Sequence, residues 1–292
     1  MNKSIVIIIL AGWLLVGCNS QPMDKTMITV TISTQKYWID KLAGDLVSTN
    51  VMLLTGADHE TYEPTPQQMR IIASSKIYFS LGSGLGFEEQ WVKKFSSLNP
   101  QLKVVSLLEN IKLPEVHSQG CNHHHKDGEH EHPKIDPHVW LDPMIVKTMI
   151  PQIAAELKNL FPEHKDSIEN REQRFLHAID TLHSYIERTL SNSSREKFLV
   201  FHPALTWFAY RYNLTQLVIE QEGKEPSPAQ LQEIINYIIN EKIDILLIQK
   251  EFPSEKARSI AEATGIKVIT INPLAYEWEQ TLIDITHCLI KN

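Results

Sequence analysis

The sequence predicts an α/β protein of two lobes, each a parallel sheet covered by helices, joined by one long rigid helix. Three observations carry that prediction. Short apolar runs alternate with helical stretches up to about residue 106, the same alternation resumes after residue 196, and an amphipathic stripe runs unbroken between them.

In the first lobe the apolar runs 28–32, 51–54, 77–81 and 104–106 have strand length, and helical patterning falls near 35–47, 67–74 and 86–97. In the second lobe strands are expected at 198–201, 216–219, 245–248 and 268–271, with helices near 204–212, 228–241, 254–264 and 275–289. Strands separated by helices pair in parallel, because a crossover helix returns the chain to the same end of the sheet. Between the lobes, Ile168, Phe175, Ile179, Leu182, Ile186 and Leu190 recur at helical spacing, and no proline or glycine interrupts 165–192. A helix of that length runs about 42 Å at 1.5 Å per residue, which makes it a stiff spine. The resulting division is 1–17 as signal peptide, 18–26 as tether, 27–162 as the N-terminal lobe, 163–192 as linking helix and 193–292 as the C-terminal lobe.

The N-terminal segment has the features of an export signal. Lys3 precedes an apolar run over 5–16, too short for a permanent membrane span of about 20 residues. Leu15, Val16, Gly17 and Cys18 resemble the lipobox of bacterial lipoproteins, which implies cleavage before Cys18, acylation of that residue and an extracytoplasmic protein held on a membrane, facing a periplasm or the cell surface. The formal net charge of −7 becomes −8 once residues 1–17, with their one lysine, are removed. So acidic a chain, without a basic patch, is a poor binder of nucleic acid. Cys121 and Cys288 are the remaining cysteines, and either they pair or Cys288 packs as a small hydrophobe in the last helix.

Candidate ligands cluster at loop positions. "GADHETYEPTP" (56–66) follows an expected strand, "DPHVWLDP" (136–143) precedes a helix, and His202 in "FHPALTWF" (201–208) lies just past another strand. In parallel α/β folds ligands gather beyond the carboxyl ends of strands. Three histidines there, His59, His138 and His202, suit zinc, which accepts tetrahedral nitrogen coordination, better than manganese, which prefers more oxygens. Asp58, Glu60, Asp136 and Asp142 are near enough in sequence to supply a carboxylate, either as a fourth ligand or behind the ligands. Pro137 and Pro203 restrict the backbone beside two of the histidines.

A separate tract, 117–132, holds His117, His123, His124, His125, His130 and His132 among acidic residues. Its low complexity is that of a loop binding extra cations weakly, whereas His138, past Pro133, is expected in the tight site.

These stretches, with "EGKEPSPAQL" (222–231) and "INPLAYEW" (271–278), resemble the zinc and manganese substrate-binding proteins of bacterial metal ABC importers, the ZnuA-like cluster, over nearly all of 27–290. The resemblance implies a monomeric binding lipoprotein, not an enzyme, that captures Zn²⁺ between its lobes and delivers it to a membrane permease with its ATPase. It also implies that His138 and His202 bind the metal. Two departures matter. The family usually reads GADPHTYEP in the first segment, so an ungapped match sets Glu60 at the family's histidine and His59 at its proline, and either residue is a candidate first ligand. Asn272 stands where the family often has aspartate, which weakens that position as a ligand and argues against manganese. The competing readings are a manganese-selective binding protein of the same importer class, a surface adhesin that merely carries histidines, and a zinc-dependent hydrolase. The chain contains no HExxH stretch and no nucleophile elbow for the last of these.

Overall fold

A computed structural model describes residues 25–54, 56–57, 61–114, 116, 119–120, 136–220, 226–250 and 255–290. The first sheet is built from β1 (Thr26–Val30), β2 (Val47–Val51), β3 (Ile77–Ser80) and β4 (Lys103–Ser106), in the order β2-β1-β3-β4 and wholly parallel. Helices α1 (Ser33–Ala43), α2 (Pro66–Ile72) and α3 (Gly86–Leu98) supply its crossovers. A two-residue strand, β5 (Gln119–Gly120), pairs with the edge of the second sheet. Next come α4 (Pro143–Leu160) and α5 (Lys165–Ser191). The second sheet, in the order β5-β7-β6-β8-β9, is also parallel. Its other strands are β6 (Lys197–Val200), β7 (Thr215–Val218), β8 (Ile245–Gln249) and β9 (Lys267–Ile271). Its helices are α6 (Thr206–Arg211), α7 (Pro228–Asn240), α8 (Glu255–Thr264) and α9 (Trp278–Leu289).

The spine is α5, and every residue of its expected apolar stripe is buried. It packs on α1 and α4 of the first lobe and on α9 of the second, so one continuous apolar core runs through both lobes. A second core lies on the other face of the second sheet, where Leu199, Phe201 and Leu246 meet Ile234 and Ile238 of α7 and Ile260 of α8. Among the described residues no helix is long and apolar enough to cross a membrane.

Local chemistry sets where the elements begin and end. Thr65 and Ser227 cap α2 and α7 in reciprocal boxes with Gln68 and Gln230, each followed by a proline at the first helical turn. The first helix stops at Ala43, short of the expected 47, because Gly44 takes φ +58 and Arg171 of α5 donates to the Ala43 carbonyl (3.0 Å). The second strand therefore starts early, at Val47 rather than at 51. Met52 and Leu53, the apolar pair that suggested the later start, still donate to the Val30 and Thr31 carbonyls. Cys288 is a half-buried thiol on α9, with no disulfide to a described residue.

Candidate metal centre

The segment entering α4 folds around Asp136. Its Oδ1 accepts hydrogen bonds from the backbone N–H of His138 (2.8 Å) and from ring Nδ1 of the same histidine (2.6 Å). Burial pushes the Asp136 carboxyl up, but the facing His138 outweighs burial and holds it below the ordinary carboxylate range. The indole of Trp207 on α6 donates to the Asp136 carbonyl (2.7 Å), so the second lobe grips the same turn. His138 is 3% exposed.

His202 is placed by strand register. Val200 of β6 pairs with Val218 of β7, and the ladder continues one step past the strands, where Ile219 N–H donates to the Val200 carbonyl and Glu220 N–H to that of Phe201. Residues 202 and 220 consequently lie side by side at the carboxyl end of the sheet. The Glu220 Oε2 is 3.0 Å from His202 Nδ1. Nothing in the composition of "VIEQEG" marks Glu220 as a site residue. The signal that could find it is parallel pairing of 198–201 with 216–219, which carries forward to 202 and 220.

The two imidazoles meet across the lobes, with ring centroids 5.3 Å apart and planes at 77°. A carboxylate only accepts hydrogen bonds, so each Nδ1 carries a proton, and a neutral ring held this way presents its lone pair on Nε2. Two imidazoles sharing a tetrahedral zinc through Nε2, with bonds of about 2.0–2.1 Å, set their centroids about 5.2 Å apart. The observed spacing has that value. Histidine ligands backed by carboxylates are the usual construction of zinc sites, since the second bond fixes the ring and raises its basicity.

Asn272 follows β9. Its Oδ1 is buried and has no hydrogen-bond partner among the described residues. The next residue's carbonyl, that of Pro273, accepts from Trp140 Nε1 (2.9 Å), which draws the Asn272 segment up to the His138 segment. An unsatisfied buried amide oxygen suits a polar contact to a cation or to its bound water.

Asp142, expected as one possible carboxylate, is committed elsewhere. It caps α4 through Met144 N–H (2.8 Å) and forms a two-point pair with Arg211, and its burial behind that pair leaves it no part in a metal site. Asp58, His59 and Glu60, the histidine-rich residues His117, His123, His124, His125, His130 and His132, and Cys18 and Cys121 lie outside the described residues. Among the described residues no three His, Cys, Asp or Glu side chains gather around one point. Gln68 ties the end of β2 to the approach to α2: Nε2 donates to the Met52 carbonyl (2.6 Å) and the Val51 carbonyl (3.1 Å), while Oε1 accepts from Tyr62 Oη and Thr65 N–H (both 2.9 Å). Replacing Gln68 by alanine is expected to cost about 2–3 kcal/mol by leaving buried groups unpaired. It should also speed amide exchange at 52–54 and 61–65 and weaken metal binding several-fold, as hydrogen exchange and titration will show.

With this geometry in place the comparison with known proteins is informative. Residues 28–287 match the family described as zinc-uptake complex component A, periplasmic, or ZnuA. The chain belongs to the ZnuA family. A crystal structure of ZnuA superposes with a TM-score of 0.82 at 31% identity, covering 90% of this chain and 97% of that one. A zinc-bound deletion mutant of ZnuA does so with a TM-score of 0.80 at 31% identity, over 92% and 100%. The zinc-binding lipoprotein AdcA of Streptococcus pneumoniae (strain ATCC BAA-255 / R6) is 24% identical over 278 residues, 93% of this chain and 55% of AdcA. The high-affinity zinc uptake system protein ZnuA of Bacillus subtilis (strain 168) is 23% identical over 255 residues, 86% of this chain and 79% of its own length. The chain thus spans about half the length of the AdcA relatives.

Proposed function

We propose that this protein captures Zn²⁺ in the cleft between its lobes and delivers it to an ABC-type permease and its ATPase, working outside the cytoplasm as a monomer anchored through acylated Cys18. The observation that carries the reading is the pair His138 and His202, 5.3 Å apart and each backed by a carboxylate. Family membership and the zinc named for the ZnuA and AdcA relatives support it. The lobes in this reading are 27–162 and 193–292, with 163–192 between them.

Protein purified without added metal should contain zinc and hold it against a competing chelator. Tight binding of manganese or iron with weak binding of zinc would sink the proposal. Of the two candidates for the first ligand we favour His59, since a three-nitrogen set suits zinc and Glu60 can act from behind it. The alanine change at His59 should then cost far more affinity than the same change at Glu60, and the reverse order would transfer the role to Glu60.

The histidine-rich stretch 117–132 serves as a weak zinc collector. Ordering so long a low-complexity tract around an ion costs conformational entropy, which subtracts affinity. Deleting 120–132 should remove weak calorimetric sites and leave the tight one. Loss of the tight site would make the loop a primary ligand source, and unchanged stoichiometry would deny its histidines a metal role.

A further inference from the structure

Glu220 presents an energetic puzzle. Its side chain is 9% exposed, and among the described residues its side-chain hydrogen-bond partner is the His202 ring, with no lysine or arginine paired to it. Burying a carboxylate on one side-chain hydrogen bond is costly, because a single hydrogen bond does not replace lost hydration. Asp136 is in the same position behind His138, with a side chain 9% exposed and the histidine facing it. Two carboxylates therefore stand behind two imidazoles at the mouth of the cleft, and the amide of Asn272 adds no charge. A dication between the rings neutralises what the described side chains leave unbalanced.

We propose that Glu220 is a positioning residue for the transported metal. It holds His202 as the Nδ1–H tautomer, turns Nε2 toward the cleft and places, one imidazole removed from the ion, the negative charge that Asn272 does not supply. The inference rests on His202 being a ligand of the zinc site. It explains why strand register matters here: shifting β7 by one residue against β6 would carry Glu220 to the other face of the sheet. It also bears on selectivity. A site whose carboxylates sit behind nitrogens, instead of touching the metal, presents a softer face than one with direct oxygen ligands, and so favours zinc over manganese.

The test combines a variant with a measurement on the unaltered protein. Glu220→Gln keeps an acceptor near Nδ1 and removes the charge, so zinc affinity should fall about 10- to 100-fold, the usual cost of losing such a partner, while the melting temperature of the zinc-free protein stays within a few degrees. Affinity within twofold of the unaltered protein would overturn the proposal. Nitrogen-15 spectra of the His202 ring in zinc-free protein should show the proton on Nδ1. A proton on Nε2 would overturn the proposal even if the variant fails to fold. Failure of the zinc reading is distinguishable, since a protein that binds no zinc yet carries the Nδ1–H tautomer retains the Glu220–His202 pair and loses only its cargo.

Discussion

Replacing His138 by alanine is expected to weaken zinc binding by about a hundredfold or more. Nanomolar capture corresponds to roughly 12 kcal/mol, and removing one of four donors forfeits about a quarter of it, near 3 kcal/mol or two decades in Kd. The same change acts separately on the fold. Asp136 loses the ring donor that holds its carboxyl below the ordinary range, and an unpaired buried acceptor costs about 1–3 kcal/mol. The two effects have different readouts. Competition with a chromophoric chelator reports the first, and melting of the zinc-free protein reports the second. Zinc at a thousand times the Kd stabilises the unaltered protein by about 4 kcal/mol, whereas the same zinc concentration offers a hundredfold weaker variant only about 1.4 kcal/mol. For a chain of this size the thermal shift on adding zinc should drop from about 8–16 °C to about 3–6 °C. Equal shifts in the two proteins would remove His138 from the ligand set.

The parts of this site that were legible in the sequence are those where one residue announces its own role. His138 and His202 stand beside prolines at loop positions, and the structure brings their rings together. The apolar stripe of α5 was legible for the same reason, since helical period and burial coincide at Ile168, Ile179 and Ile186. What escaped depends on pairing across the chain. Glu220 acquires its role only when β6 and β7 are set in register, and Asp142 loses its candidacy only when Arg211, 69 residues later, arrives beside it. Strand β2 was misplaced because burial was read as strand. VSTNV is an edge strand with three polar residues in a row between two valines, mostly half-buried, while the more apolar Met52 and Leu53 lie just beyond it and pack into the core. Strand β5 is two residues long, too short to leave any periodic trace.

The lobes are held together by more than α5, and this bears on how the site works. Tyr37 donates to Glu279 (2.7 Å), Tyr276 to Asp40 (2.8 Å) and Thr34 to the Ala275 carbonyl (3.1 Å), all across the seam between the first lobe and the first turn of α9 with the segment leading into it. Wide closure of the lobes would break these bonds and open the shared core. The two histidines themselves stand on stiff supports: a turn gripped by Trp207 for one, the end of a central strand for the other.

Trp278 is where that rigidity should prove most sensitive to a single change. It is 1% exposed at the start of α9, and its Nε1 donates to the Trp140 carbonyl (2.7 Å). Its ring meets Trp38 of α1 edge-on at 5.9 Å and Phe175 of α5 at 6.2 Å, so one side chain touches both lobes and the spine. Replacing it by alanine removes about 3–5 kcal/mol of packing. The carbonyl of Trp140 is left buried without its donor, a further loss of about 1–3 kcal/mol. The variant should melt about 8–32 °C below the unaltered protein at 2–4 °C per kcal/mol. Trp278→Phe separates the two contributions, because it keeps most of the ring contacts and deletes only the donor, and its loss should be about 1–3 kcal/mol. If the alanine variant melts within a few degrees of the unaltered protein, the lobes do not depend on this contact. Zinc affinity in the phenylalanine variant should change less than melting does, because the Trp140 carbonyl lies two residues past His138, whose ring remains bonded to Asp136.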